Sequence, residues 1–173
     1  TKRKSTQGKR QNREEFLRNA KARLVTSLAF FHAILQERKN FGAIGWNKPY
    51  DFNDSDFNAG KDIILMMLAD VQNRKEVPWD SLFFLTGDVT YGGRVTDDQD
   101  RRLLLCLLKK FFTEQILDER YRFVADERYK IPRVSCRTDI FDYAASIPNE
   151  EAPEILGLHP NATINFEAQE ISR

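Results

Sequence analysis

The stretch TYGGRVTDDQDRRLLLCLL, Thr90–Leu108, holds the residues whose types and spacing could do chemistry. Asp97, Asp98 and Asp100 lie within one helical turn, and carboxylate oxygens are the ligands of Mg²⁺ and Ca²⁺. A calcium loop, however, spreads its acids over about twelve positions and ends with a bidentate Glu. Here the acids are bunched before a leucine-rich helix, where the helix dipole favours negative charge. We therefore interpret them as capping and ion-pairing residues and predict no metal site.

The same stretch carries a glycine pair that could form a phosphate-binding turn of backbone N–H groups. It lacks both G-x-x-x-x-G-K-[ST] and a G-x-G-x-x-G that follows a strand. We favour a tight turn in which glycine supplies backbone freedom, followed by a capping box of Thr96 and Gln99. Arg94 is expected to anchor the turn to neighbouring acids. The predicted turn and cap consist of Tyr91, Gly92, Gly93, Arg94, Thr96, Asp97, Asp98 and Gln99.

Neither histidine belongs to a recognisable catalytic or metal-binding pattern. His32 lies among phenylalanines and His159 precedes a proline, without a ligand or nucleophile at a suitable spacing. Cys106 and Cys136 lack C-x-x-C spacing, which favours a reducing, cytosolic setting over a disulfide framework. The sequence thus predicts no catalytic, cofactor-binding or metal-binding residue.

Composition limits the classes of partner. The 173 residues carry a formal net charge of +1 and no apolar stretch near the roughly 20 residues of a membrane span, so neither membrane nor nucleic acid is an expected partner. The exception is the basic segment Thr1–Arg13, which cannot bury a core and is predicted to be a flexible tail or linker. An arm that binds nucleic acid is the functional alternative for this segment.

The elements that position these residues are mainly helical. Apolar residues recur at three- and four-residue steps in a first helix up to Phe41, and similar patterns predict later helices. PWDSLFFLTG predicts a short helix that Gly87 stops. Leu103–Phe112 is apolar nearly all round, which predicts a central, buried helix. A small hairpin is predicted between Tyr121 and Pro132, and a strand-like segment at Ile164–Phe166.

The connector Gly42–Asp56 is rich in turn residues but carries three large rings, Trp46, Tyr50 and Phe52. Such rings are costly to leave in water, so the connector should be pinned onto the body of the domain. We also expect part of their surface to stay exposed as an interface for a neighbour.

Three longer strings carry a family resemblance: FFHAILQERKNFGAIGWNKPYDFNDSDF (Phe30–Phe57), VPWDSLFFLTGDVTYGGRVTDDQDRRLL (Val77–Leu104) and LGLHPNATINF (Leu156–Phe166). Together they strongly resemble the dynein heavy chain, at the small helical lid of its sixth AAA module, which precedes the C-terminal domain. The resemblance covers nearly the whole chain from about Leu24 onward. One departure is Gln99, which stands where the family usually has a tryptophan.

The resemblance implies that residues 14–173 form a helical AAA+ lid without catalytic activity of its own, in a microtubule motor that hydrolyses ATP elsewhere. The implied partners are the neighbouring AAA modules and the C-terminal domain of the same heavy chain and, for the whole motor, microtubules and dynein light and intermediate chains. The implied location is cytoplasmic, on the cytoskeleton or in the cilium or axoneme.

In such an ATPase ring, Arg101 and Arg102 are candidate interface residues, together with the aromatic side chains of the connector. Their place near the start of a helix is comparable to that of the phosphate-sensing arginine of other AAA+ lids, but the resemblance implies a degenerate pocket with nothing to sense. The competing hypothesis is a stand-alone helical interaction module that binds nucleic acid through Thr1–Arg13.

Overall fold

The computed structural model describes residues 2–71, 76–133, 137–148 and 152–171; Cys136 lies outside them. The described chain is mainly α-helical, as predicted. Its α-helices are α1 (Lys2–Glu37), α2 (Gly42–Gly45), α3 (Asp54–Asp70), α4 (Trp79–Phe83), α5 (Asp98–Phe111), α6 (Arg137–Ser146) and α7 (Ala162–Ile171). Short 3₁₀ turns lie at Arg38–Phe41, Gly92–Arg94 and Glu114–Leu117.

The core forms where α1 packs against α3 and α5. One stripe of α1 is buried at three- and four-residue spacing and faces a matching stripe of α5. These stripes consist of Leu24, Leu28, Phe31 and Leu35 on α1 and Leu104, Leu107, Leu108 and Phe111 on α5. The prediction of a helix that is buried nearly all round holds for only one face of α5, because its outer face, with Cys106, Lys109 and Lys110, is exposed.

α1 runs through the basic segment, since its backbone is helical from Lys2. From residue 11 to residue 19 the side chains are exposed on almost every side, and burial in the core begins at Ala20. The division into a tail up to Arg13 and a lid from residue 14 stays a prediction. At the other end, Gly42 follows the 3₁₀ turn Arg38–Phe41 with a positive φ of 52°, which glycine adopts without a steric penalty.

α3 begins with a capping box. The Asn53 side chain accepts a hydrogen bond from the N–H of Ser55 at 3.0 Å, and the Asp56 carboxylate accepts one from the Asn53 N–H at 2.9 Å. Asn53 is therefore the N-cap residue of α3.

The prediction that Gly87 stops a short helix is wrong. After α4 the chain continues through Gly87 as an eight-residue π-helix, Phe84–Tyr91. A Cβ at Gly87 would lie within 2.8 Å of the Leu105 and Leu108 side chains. Glycine is thus needed here for the close approach of α5, and not for a helix end.

The two predicted extended pieces are also corrected. Between Tyr121 and Pro132 the described chain forms loops closed by one isolated antiparallel bridge, Arg122 to Lys130, instead of a hairpin of two strands. Ile164–Phe166 lies inside α7. An alternation of only three residues does not distinguish a strand from one turn of helix.

Candidate functional site

The Asp100 carboxylate is the centre of the opening stretch. It is buried, with 3% of its surface exposed, and it accepts hydrogen bonds from the N–H groups of Asn47 and Lys48 at 3.0 and 3.2 Å. The Tyr50 hydroxyl donates a third hydrogen bond at 3.0 Å. We call these four residues the Asp100 junction. In this junction the Asp100 carboxylate holds the connector Gly42–Asp56 on the start of α5. Both carboxylate oxygens are therefore already hydrogen-bonded within the protein.

Asp97 caps α5, and the predicted capping box of Thr96 and Gln99 is wrong. The Asp97 side chain accepts hydrogen bonds from the N–H groups of Gln99 and Asp100 at 2.9 and 3.1 Å. The bond from Asp100 N–H, followed by that from the Asn47 amide, lowers the pKa of Asp97. Asp98 is exposed in the first turn, where its negative charge interacts favourably with the helix dipole.

The three rings of the connector belong to the core, and the expectation that they form an exposed interface is not met. Trp46, Tyr50 and Phe52 are exposed by 3%, 7% and 6%. Their centroids lie 5.7–6.2 Å apart, and Trp46 Nε1 donates a hydrogen bond to Leu35 O at 3.2 Å. The connector is therefore pinned completely, as an internal layer of the domain.

Tyr91 reaches the core from the end of the π-helix. Its side chain is fully buried and its hydroxyl lies 3.0 Å from Nδ1 of His32, while burial raises the pKa of the phenol. His32 is also buried, which lowers the pKa of its imidazole, and its Nε2 has no hydrogen-bond partner. This pair serves packing, and the absence of a second polar partner at Nε2 makes the neutral imidazole the favoured form.

The glycine turn follows directly, and Arg94 anchors it. Gly92 has a helical φ of −65°, and within the described ranges only Gly42 and Gly157 have positive φ. The Arg94 guanidinium pairs with the Asp56 carboxylate of the α3 capping box, so its acidic partner comes from another helix. One arginine thereby joins the turn after the π-helix to the start of α3.

Arg38 is a buried cation that the sequence interpretation did not select. Its guanidinium donates hydrogen bonds to Gly45 O, at 2.7 Å from one nitrogen, and to Leu156 O. It also lies 5.3 Å from the Trp46 ring centroid, within cation–π range. Burial lowers its pKa to about 10, and the Asp100 charge opposes that shift. A signal existed, since Arg38, the first residue after α1, falls three residues after Leu35 and continues the spacing of the buried stripe.

Arg23, which lies within α1 and 15 residues before Arg38, is a second buried cation that binds backbone carbonyls. It is exposed by 3% and donates hydrogen bonds to Ile116 O and, at 2.7 Å, to Asp118 O. Its position one residue before Leu24 gave little indication of this, because the carbonyls that it meets come from the loop after α5.

Arg101 and Arg102 lie at the surface. Arg101 donates a hydrogen bond to Asp88 of the π-helix at 3.2 Å, and Arg102 is exposed. The structure thus separates the candidate interface residues into exposed arginines and buried rings.

Among the residues that the structure describes, no three His, Cys, Asp or Glu side chains are arranged so that they could bind a metal ion. Among the same residues, no helix has the length and apolar composition needed to cross a membrane.

Comparison with known proteins decides the family. Residues 21–162 match the model of the dynein heavy chain AAA lid domain. The chain belongs to this family. It is 45% identical over 151 residues to human dynein axonemal heavy chain 3, and 41% and 40% identical over 149 residues to human dynein axonemal heavy chains 6 and 8. These alignments cover 86–87% of the chain.

The dynein lid is a small part of such proteins, since the chain spans only 3–4% of the length of these relatives. The family match contains the Asp100 junction, Arg38, the π-helix and the glycine turn. Residues 1–20 and nearly all of α7 lie outside it. The scaffold described above is therefore the part of the chain that corresponds to the dynein lid.

Proposed function

We propose that this chain is the non-catalytic structural lid of the sixth AAA module of a dynein heavy chain, and that it contributes to closure of the ATPase ring. The observation that carries the proposal is the match of residues 21–162 to the lid family. It is supported by alignment to heavy chains of which this chain spans only a small part. In such a motor, ATP hydrolysis that drives movement along microtubules takes place outside this chain.

The polar groups of the lid support a scaffold role. Asp100, Arg38 and Arg23 are buried, and each engages backbone groups that fix a loop onto a helix. Buried charges that are fully used in this way resist rearrangement, because removing one partner leaves the other uncompensated. A domain fixed internally in this way suits a structural role in the ring.

The proposed partners follow from the place in the ring. They are the neighbouring AAA modules and the C-terminal domain of the same heavy chain; the whole motor would bind microtubules and dynein light and intermediate chains. The matched relatives are named axonemal heavy chains, which supports a cytoskeletal location in the cilium or axoneme.

The test is a motor of human dynein axonemal heavy chain 3 in which this chain replaces the aligned segment. We expect the chimera to keep a closed ring in electron micrographs and microtubule-stimulated ATPase activity within about threefold of the parent. A second motor, with a flexible linker in place of the lid, should lose ring closure and stimulation. A closed, active ring without any lid would contradict the proposal.

The isolated chain is a further test, because a structural lid should bind no nucleotide. Calorimetry with Mg-ATP should show no heat of binding, since the chain carries no P-loop lysine motif. Saturable binding of ATP at micromolar concentration would contradict a purely structural role.

A further inference from the structure

We draw no further inference here: the strongest candidate, the open cleft between the first half of α1, the loop that follows α5 and the start of α6, which exposes Phe16 and Ile140, is lined by charges of both signs, and nothing in the structure shows what covers it.

Discussion

At the scale of single residues, Gly92 and Gly93 are adjacent but have different surroundings. A Cβ on Gly92 would lie 2.6 Å from Gly87 O, a backbone atom, whereas a Cβ on Gly93 would meet nothing within 4 Å. Gly92→Ala should therefore cost about 1–3 kcal/mol of unfolding free energy through overpacking. Gly93→Ala should be neutral or stabilise by up to about 1 kcal/mol, because it restricts the unfolded chain.

Urea denaturation of the two variants measures the difference. The sequence predicts that these glycines supply backbone freedom in a tight turn, but neither has a positive φ, and at Gly92 the structure shows close approach to the Gly87 carbonyl instead. Equal losses in the two variants would show that the tight contact at Gly92 is not what limits substitution.

Burial of His32 predicts a dependence of stability on pH. Burial lowers the pKa of its imidazole, against the opposing charges of Asp56 and Asp54, so the folded protein binds this proton more weakly than the unfolded chain does. Stability is complete above the unfolded pKa of about 6.5 and falls as the pH drops below it. Asp97, whose pKa is also lowered, contributes in the same direction, but only below about pH 4 and so outside this window.

The measurement is the free energy of unfolding between pH 7.5 and pH 5. His32→Gln should flatten the decline in this window, and its amide oxygen can still accept the hydrogen bond from Tyr91. His159→Gln, at an exposed site, should keep the decline. A variant at His32 with the parent slope would assign the effect to other groups.

At the scale of elements, the start of α5 depends on its cap. Asp97 accepts two backbone N–H hydrogen bonds, so Asp97→Ala should cost about 1 kcal/mol, and Thr96→Ala should cost less because Thr96 does not cap. Thermal unfolding of the two alanine variants gives the ranking. A larger loss for Thr96→Ala would favour the capping box that the sequence predicts.

The cap shows where sequence reasoning ends. Thr96 and Asp97 are both good caps, and the adjacent glycines and acids correctly indicate that a helix begins here. The choice of Asp97 is made by Asn47, whose side-chain amide donates to it at 3.3 Å, and whose backbone reaches Asp100. Those contacts join positions about 50 residues apart, so no local pattern contains them.

The same limit explains the π-helix and α7. Helical periodicity predicts α1, α3 and α5 because their buried stripes repeat at three and four residues. The widening at Phe84–Tyr91 depends on Leu105 and Leu108 fitting against Gly87, which is a property of the folded domain. In α7, Ile164 is exposed, so the apolar alternation in the sequence does not mark the buried face of a strand.

At the scale of the whole molecule, Arg38 joins three parts of the chain that the sequence separates. It lies directly after α1, and its guanidinium donates to Gly45 O on one side and to Leu156 O on the other. Gly157, with φ of 68°, follows this contact and would place a Cβ 2.6 Å from Leu107. The backbone at Leu156 and Gly157 therefore contacts both Arg38 and the Leu107 side chain of α5.

Arg38→Met should break this connection and leave two buried carbonyls without a donor. Each such group costs about 1–3 kcal/mol, so we expect a loss of about 2–4 kcal/mol, with Arg120→Met as the matched surface control. Arg38→Lys should recover little, because one ammonium cannot reproduce the planar fork that reaches both oxygens.

Hydrogen exchange distinguishes a global loss from release of the C-terminal segment. The N–H groups of Gly157 and Leu158 donate to Glu154 O and Pro153 O at 3.1 and 2.9 Å, and these local turns persist only while the segment stays docked. In Arg38→Met they should exchange at least tenfold faster than the amides of α3, measured under conditions where the fold remains native. Equal acceleration throughout the domain would show that Arg38 stabilises the core as a whole, and that the C-terminal segment is held by its apolar contacts alone.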